Sequence, residues 1–434
     1  MKETANDQTA ISPASAVFRR ARSGQRNSQS AGFSRKRGRR RYRGRRYLDR
    51  IGGSARDREL DEGARRRLCP LRPALALPGQ GRASHSLSTQ SAATGRRHGA
   101  YAAAPARRDD HAQRLAFRAQ PFRHSDIDPD QHRLVIHGHV RRPLVFTVEA
   151  LHRYPMQSRI AFIECAGNSG ALNAPQAQPL GIAAIHGLLG CSEWTGVKVS
   201  TLLDEAGVDP SAHWVIAEGA DAAGMSRSIP LAKVMDDALL CLYQNGEAVR
   251  SSNGYPVRLL LPGFEGNMNV KWLRRLKLTS GPAMTKDETS KYTILLKDEK
   301  AWQFVFPIEV KSVITRPAPG ITLTGSGFYE ISGLAWSGNS SIRQVEVSAD
   351  GGQSWAQAAL QGPILPKAPV RFRAAWQWNG GAAVLQSRAT DDTGMVQPTR
   401  AAFAAERGLR GVYHYNAIAS WRIDEKGEAT NVYA

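Results

Sequence analysis

The chain has 434 residues, which is more than one typical hydrophobic core contains, so two or more domains are predicted. The formal net charge of +21 would suit a nucleic-acid-binding protein, but the charge is unevenly distributed. Residues 1–125 hold 29 Lys and Arg against 9 Asp and Glu, whereas residues 126–434 hold 30 against 29. The second part of the chain therefore lacks the basic excess expected of a nucleic-acid-binding domain.

Residues 1–125 show none of the patterns of a folded domain. Of their 29 basic residues 27 are Arg, they contain none of the nine Trp, and no segment keeps a helical or strand period. We interpret this part as unstructured, with two explanations open. It is a disordered nucleic-acid-binding arm around Arg37-Gly-Arg-Arg-Arg-Tyr-Arg-Gly-Arg-Arg, or it is coding sequence read in the wrong frame from about Ala16 to His124.

The sequence shows no recognisable targeting segment and no cysteine motif. No apolar segment of signal-peptide length follows Met1, and no stretch is long enough to span a bilayer. The four cysteines (Cys69, Cys165, Cys191 and Cys241) show neither metal-type pairing nor a disulfide framework. No Cys-x-x-Cys-His motif for haem attachment occurs, so no haem is expected in this chain.

A folded domain of mixed α and β structure is predicted over residues 126–305. Strand-like runs occur at residues 132–138, 144–148, 194–199, 214–218 and 239–243, the last of them followed by an Asn245-Gly246 turn. Helices are predicted at residues 200–206 and from Ile229 onward, with Pro230 in the first turn of the second helix.

Cys165 is the strongest chemical signal in this domain. It ends the apolar run Arg159-Ile-Ala-Phe-Ile-Glu-Cys165 and is followed by Ala-Gly-Asn168, small and turn-forming residues that allow close approach of a ligand. A thiolate there would be a soft ligand, suited to a transition metal. The alternative is that Cys165 is a small buried apolar residue without a chemical role.

Two cations follow in a region of turns. Arg258 lies in the apolar run Tyr255-Pro-Val-Arg258-Leu-Leu-Leu-Pro-Gly263, and Lys271 lies in a predicted second strand after Gly266. Together with backbone N–H groups, Arg and Lys suit the binding of a phosphate. Taken singly, both residues could equally be solvated or ion-paired surface charges.

Residues 306–434 change to short strands separated by turns. Strands are predicted at residues 321–324, 329–336, 342–348, 370–378 and 383–390, with an Asp350-Gly turn between two of them. This pattern favours an immunoglobulin-like β-sandwich with a structural or dimer-forming role. The fold class is therefore α+β, with a mixed first domain and a β-sandwich second domain.

Four motifs over residues 126–434 are similar to those of the sulfite oxidase family of molybdopterin enzymes. They are Phe162-Ile-Glu-Cys165-Ala-Gly-Asn168, Gly254-Tyr-Pro-Val-Arg258, Val270-Lys271-Trp-Leu273 and Ser348-Ala-Asp-Gly-Gly-Gln-Ser-Trp355. The closing Tyr413-His-Tyr-Asn-Ala-Ile418 resembles the sulfane dehydrogenase branch of the family, which belongs to the Sox sulfur-oxidation system.

The resemblance implies a mononuclear molybdenum held by Cys165 and one molybdopterin, with the phosphate of the pterin near Arg258 and Lys271. It places Asn168, His186, Asp221 and Asn253 among the cofactor-binding residues. Tyr292 matches the active-site Tyr of the family, and Arg410 matches an Arg that reaches toward the substrate pocket.

The implied reaction is oxidation of sulfur. In the sulfane dehydrogenase branch the substrate is sulfane sulfur on a carrier protein, and a c-type cytochrome subunit accepts the electrons in the periplasm. Sulfite dehydrogenase acting on free sulfite is the alternative, as is nucleic-acid binding through residues 1–125. The resemblance also implies a dimer formed by the C-terminal domain, and it predicts neither a nucleic-acid nor a membrane partner.

The chain departs from the family pattern at two places. Sulfite-oxidising members continue the Cys motif with Arg-Arg, whereas Ser169 and Gly170 stand here, so an Arg that grips an anion is missing. Before Asp128, relatives carry an Arg-Asn-His segment that this chain lacks, and an export signal is lacking upstream of it. The first departure argues against small free sulfite as the sole substrate.

Overall fold

The computed structural model describes residues 127–434. The interpretations of residues 1–125, and of the segment before Asp128, lie outside this range. Within the described residues, no helix is long and apolar enough to cross a membrane.

Ten strands and five short helices form the first part of the described chain. The strands are β1 Leu134–Gly138, β2 Leu144–Phe146, β3 Met156–Glu164, β4 Leu189–Lys198, β5 Trp214–Gly219, β6 Ser226–Pro230, β7 Leu239–Gln244, β8 Glu247–Ala248, β9 Arg258–Leu260 and β10 Leu273–Thr279. The α-helices are Val148–Leu151, Ile182–His186, Val199–Ala206, Leu231–Asp237 and Lys286–Ser290, and short 3-10 turns cover Gly170–Asn173, Ser251–Asn253 and Gly266–Met268.

Two sheets organise this part. One has the strand order β2-β1-β10-β5-β6, in which β1 runs parallel to β10 and the other neighbours are antiparallel. The other has the order β3-β4-β7-β8, with β9 also paired to β7, and is antiparallel throughout. The first sheet and the helix Val199–Ala206 share one apolar core, which fixes the ends of β9 and β10 where the predicted cations lie.

The second part is almost entirely β structure. Its strands are β11 Ile294–Leu295, β12 Ala301–Trp302, β13 Lys311–Arg316, β14 Gly327–Trp336, β15 Ile342–Ser348, β16 Ala356–Gln357, β17 Ala359–Gln361, β18 Val370–Trp378, β19 Ala383–Asp391, β20 Ser420–Ile423 and β21 Ala429–Val432, and its helix is Arg400–Arg407. The orders β13-β14-β18-β17 and β16-β15-β19-β20-β21 define two antiparallel sheets around one core. The predicted sandwich is confirmed.

The core of the sandwich extends into the first part of the chain. Phe162 of β3, Leu172 and Ile185 belong to the same buried cluster as Trp336 and Trp421 of the sandwich. The strand that ends at the predicted metal-binding cysteine is therefore packed against the β-sandwich, and the two parts together hold the cysteine loop in place.

Most predicted elements occur, with small shifts. The Asn245-Gly246 turn is confirmed, since both residues have positive φ angles between β7 and β8. The helix predicted from Ile229 begins instead at Leu231, because Ile229 and Pro230 end β6. The strand predicted at residues 321–324 is wrong, since only Thr322 forms an isolated bridge there. Lys271 precedes β10 rather than lying within a strand, and the following Trp272 has a φ angle of 52°.

Candidate active site

Cys165 directly follows β3 in a tight turn. Its N–H donates to the carbonyl of Leu188 (3.0 Å), and its own carbonyl accepts from the N–H of Asn168 (2.9 Å). Burial raises the pKa of the Cys165 thiol above its ordinary value, and the nearby Glu164 and Glu265 carboxylates add to this effect. A bound metal cation would supply the positive charge that a thiolate needs in these surroundings.

Asn168 shapes the cysteine turn. Its Nδ2 donates to Oε1 of Glu164 (2.8 Å), and its Oδ1 accepts from the N–H of Leu188 (3.1 Å). Both ends of the amide therefore bind the protein itself. The structure thus shows a residue that orients the turn, while the predicted contact of Asn168 with a cofactor stays a prediction.

Glu164 connects the cysteine turn to the sandwich. Its buried carboxylate accepts from Nζ of Lys311 on β13 (3.0 Å) and from Nε1 of Trp336 on β14 (2.6 Å), in addition to Asn168. These contacts pin the residue next to Cys165 from three directions.

Two stacked tyrosines lie near Cys165. The ring centroids of Tyr292 and Tyr413 are 5.3 Å apart, and the guanidinium of Arg227 lies 4.8 Å from the Tyr292 centroid. Burial raises the pKa of Tyr292, and the Cys165 sulfur raises it further. The Tyr292 hydroxyl thus stays protonated at neutral pH and can donate a hydrogen bond, as the predicted catalytic role requires.

Arg227 and its buried partners were not among the site residues predicted from the sequence. Nε of Arg227 donates to Glu288 (2.9 Å), and Nη2 donates to Glu265 (3.2 Å). His414 meets the other oxygen of Glu265 through Nε2 (2.8 Å). Within residues 127–434, Nη1 of Arg227 and Nδ1 of His414 are buried without a hydrogen-bond partner. A charged residue inside the strand β6 was the available signal for Arg227.

Arg258 and Lys271, the predicted phosphate-binding pair, are confirmed as neighbours. Arg258 is fully buried and donates to the carbonyls of Asn253 (2.9 Å) and Asn269 (3.1 Å). A Cβ atom at Gly254 would lie 3.0 Å from the Cβ atoms of both cations. The interpretation of the pair as solvated surface charges is therefore wrong.

The electrostatics of Lys271 suit an anionic guest. Burial lowers the pKa of Lys271 to about 7, the Arg258 charge lowers it further, and Asp221 offsets only part of this. A bound phosphate would stabilise the protonated form of Lys271 beside Arg258. The donors on this chain thus fit molybdopterin: Cys165 would hold the metal, and Lys271, with Arg258 behind it, would hold the phosphate.

The other predicted cofactor-binding residues, Asn253, Asp221 and His186, each have a hydrogen bond within the protein. Asn253 lies beside Arg258 and donates to Oε1 of Gln244 (2.8 Å), and Asp221 accepts from the N–H of Met225 (3.2 Å). His186 is buried, contacts the Ser169 hydroxyl through Nδ1 (2.7 Å) and packs edge-on against Trp421. Its Nε2 is buried without a hydrogen-bond partner among the described residues, and the predicted cofactor contact of His186 stays a prediction.

Arg410 is an exposed residue two positions before Val412, whose carbonyl lies against the cysteine turn. Its side chain is 69% exposed and pairs with Glu299 at 3.6 Å. Its predicted substrate-binding role stays a prediction.

Lys271→Met tests the anion site through the pH dependence of stability. The pKa of Lys271 is about 7 in the folded protein and 10.5 as its ordinary value, so the unfolded state binds more protons between these pH values. The free energy of unfolding should therefore rise with pH from about 7 to 10.5 in cofactor-free protein. Lys271→Met should flatten this rise by up to about 1.4 kcal/mol per pH unit. Urea denaturation at several pH values measures it, with exposed Lys426→Met as the control; equal slopes in wild type and Lys271→Met would contradict the assignment.

Gly254→Ala tests the packing of the two cations. Gly254 has a φ angle of 113° and a Cβ there would crowd Arg258 and Lys271, so we expect a loss of roughly 1–3 kcal/mol in unfolding free energy. Gly246→Ala is the matched control, because its φ angle is 79° but nothing lies within 4 Å of its Cβ position. Urea denaturation of both variants separates crowding from backbone strain, and an equal loss in both would show that the crowding is unimportant.

Comparison with known proteins identifies the family of the chain. The description of the oxidoreductase molybdopterin binding domain matches residues 121–286, and that of the Mo-co oxidoreductase dimerisation domain matches residues 302–420. The chain is 46% identical in sequence to the sulfane dehydrogenase SoxCD from Paracoccus pantotrophus. Its structure matches the crystal structure of that protein with a TM-score of 0.70, and the match covers 72% of this chain and 80% of that chain. The chain therefore belongs to the sulfite oxidase family of molybdopterin-dependent oxidoreductases.

Curated relatives are more distant. Mitochondrial sulfite oxidase of Mus musculus is 30% identical over 314 residues, which is 66% of this chain and 56% of that protein. Inducible nitrate reductase [NADH] 2 of Glycine max is 31% identical over 272 residues, 56% of this chain and 30% of that protein. The chain spans about half the length of the sulfite oxidases it matches.

Proposed function

We propose that this chain is the molybdenum subunit of a sulfane dehydrogenase, which oxidises sulfane sulfur on the cysteine of a carrier protein. The observation that carries the proposal is the 46% identity to a sulfane dehydrogenase, against 30% to a mitochondrial sulfite oxidase. Ser169 and Gly170 support it, because the Arg that grips free sulfite in relatives is missing next to the Cys motif. Ser169 instead contacts His186.

The residues of the chain have distinct proposed roles. When bound, the molybdenum cofactor supplies two-electron oxidation of sulfur. Cys165 provides the protein thiolate, and the Glu164 contacts hold that thiolate in place. Tyr292 keeps its proton because of burial and donates toward oxygen at the site.

Partners and location follow from the same likeness. We propose a c-type cytochrome as electron acceptor, a sulfur-loaded carrier protein as substrate, and dimerisation through residues 306–434 as a domain distinct from residues 126–305. The dimerisation-domain match over residues 302–420 supports the dimer. The proposed location is the periplasm. Free sulfite is the second candidate substrate, favoured by the likeness to sulfite oxidases.

The test compares two substrates on one preparation. The full chain, purified from a host that makes molybdopterin, is assayed for molybdenum and for cytochrome c reduction with sulfite and with sulfur-loaded carrier protein. We expect stoichiometric molybdenum and a higher kcat/KM with the loaded carrier. A higher kcat/KM with sulfite would make the protein a sulfite dehydrogenase, and protein without molybdenum would refute both functions.

A further inference from the structure

The buried ionic cluster of Arg227, Glu265, Glu288 and His414 carries an excess of acid. Arg227 and both carboxylates are at most 2% exposed, and the single guanidinium bonds to Glu288 through Nε (2.9 Å) and to Glu265 through Nη2 (3.2 Å). Two carboxylates therefore share one permanent cation. His414, on Glu265, is the one titratable partner that the described residues add to this cluster.

Glu265 adjoins the cysteine turn through its neighbour in the chain. The next residue, Gly266, lies against the cysteine turn, since a Cβ there would be 3.4 Å from Cα of Cys165. From the other side, the N–H of His414 donates to the carbonyl of Ala166 (2.8 Å). The acidic cluster thus touches the cysteine turn at two places.

Other charged residues around the cysteine turn do not cancel the negative charge of the cluster. Glu164 is neutralised by Lys311 at 3.0 Å, and the exposed Arg410 pairs with Glu299. In agreement, burial raises the pKa of Cys165, Tyr292 and Tyr413, and the Glu265 charge raises each of them further, with Arg227 offsetting part of the effect at Tyr292. Among the described ionised groups that act on Cys165, two carboxylates, Glu164 and Glu265, face one cation, Lys311, so an incoming anion meets the uncompensated charge of Glu265.

We propose that Glu265 determines substrate specificity by repelling small sulfur oxyanions, so that the site accepts sulfane sulfur attached to a carrier cysteine. The proposal rests on the proposed function and names the residue that selects the substrate class. Sulfite carries up to two negative charges, whereas a persulfide carries at most one. Glu265 therefore repels free sulfite more strongly than it repels a persulfide. The site then discriminates between the two substrates by repulsion, and not only through the missing Arg.

Glu265→Gln is the direct test, because it removes one charge and keeps the shape and a hydrogen-bonding oxygen. At an effective dielectric constant of about 20, the repulsion between two unit charges about 10 Å apart weakens binding by more than about tenfold. We expect the KM for sulfite to fall at least about tenfold in Glu265→Gln, and the protection that sulfate gives against thermal unfolding to begin at correspondingly lower concentration. The ratio of kcat/KM values for loaded carrier over sulfite should fall as well.

Glu346→Gln is the matched control. Glu346 pairs with Arg388 in the sandwich, so the variant makes the same change of net charge away from the cysteine turn. Its sulfite KM should equal that of wild type. If folded, molybdenum-loaded Glu265→Gln shows the sulfite KM and the sulfate response of the control, the proposal is wrong, whereas the proposed function would fail only through the wild-type substrate comparison.

A measurement on wild type covers the case in which Glu265→Gln does not fold. Sulfate and methanesulfonate are compared as inhibitors of carrier oxidation, since they have similar size and geometry but different charge. The proposal expects the monoanion to inhibit at lower concentration than the dianion. Tighter inhibition by sulfate would overturn it.

Discussion

Cys165→Ser is expected to abolish cytochrome c reduction and to release molybdenum from the protein. A serine hydroxyl is a hard ligand that does not replace a soft thiolate on a transition metal. The loss of activity should exceed the roughly 10–100-fold cost of losing an outer-shell partner of a metal ligand. Metal analysis and initial rates on the same preparation measure the two effects.

Cys191→Ser is the control for this substitution. Cys191 is also half-buried and lies on β4, where it pairs with Phe162 of β3, so it shares the strand environment without ending a strand at the turn. This variant should keep its molybdenum and its rate. Retention of metal and activity in Cys165→Ser would remove the central element of the assignment, whatever the substrate.

The cysteine and its strand could be predicted because both signals are local. The apolar run before Cys165 marks a buried strand, and the Ala-Gly-Asn segment marks a turn, so no knowledge of distant contacts is needed. Arg258 and Lys271 are only 13 positions apart, and the turn between them predicted their approach. What the local pattern did not predict was that Gly254 packs directly between their side chains.

The acidic cluster could not be predicted because its members are far apart in sequence. Arg227, Glu265, Glu288 and His414 come from β6, a turn, a short helix and a C-terminal loop, and each reads singly as an ordinary surface charge. Only the packing of the sandwich against the first part of the chain brings His414 to Glu265. Arg410 was predicted from a motif match alone, and its role toward the substrate stays a prediction, since its side chain is exposed and pairs with Glu299.

The departure at Ser169 acquires a physical meaning from this arrangement. A site that lacks the Arg found beside the cysteine in sulfite-oxidising relatives would still attract sulfite if its surroundings were basic. Here the buried cluster that touches the cysteine turn has two carboxylates, Glu265 and Glu288, and one permanent cation, Arg227, so the lost attraction and the proposed repulsion act in the same direction. The missing Arg and the proposed role of Glu265 both disfavour small free oxyanions, as the proposed function requires.

The buried contact between Glu164 and Lys311 should be the most sensitive point between the cysteine turn and the sandwich. Lys311→Met leaves the Glu164 carboxylate buried without its cation, with only the neutral donors Asn168 and Trp336. The expected loss of unfolding free energy is about 3–5 kcal/mol. Urea denaturation of cofactor-free protein measures it, and the rate of the loaded enzyme should fall because the residue next to Cys165 is no longer fixed.

Two further variants show whether the loss of stability in Lys311→Met comes from the lost charge of Lys311 or from its lost packing. Arg388→Met removes the cation from the half-exposed Glu346 pair and should cost no more than about 1 kcal/mol. The double variant Glu164→Gln with Lys311→Met removes both charges and keeps the acceptor for Trp336, so it should recover a substantial part of the loss. If the double variant is as unstable as Lys311→Met alone, the contribution of Lys311 is one of packing, and the cysteine turn is held by the shape of the interface rather than by its charge.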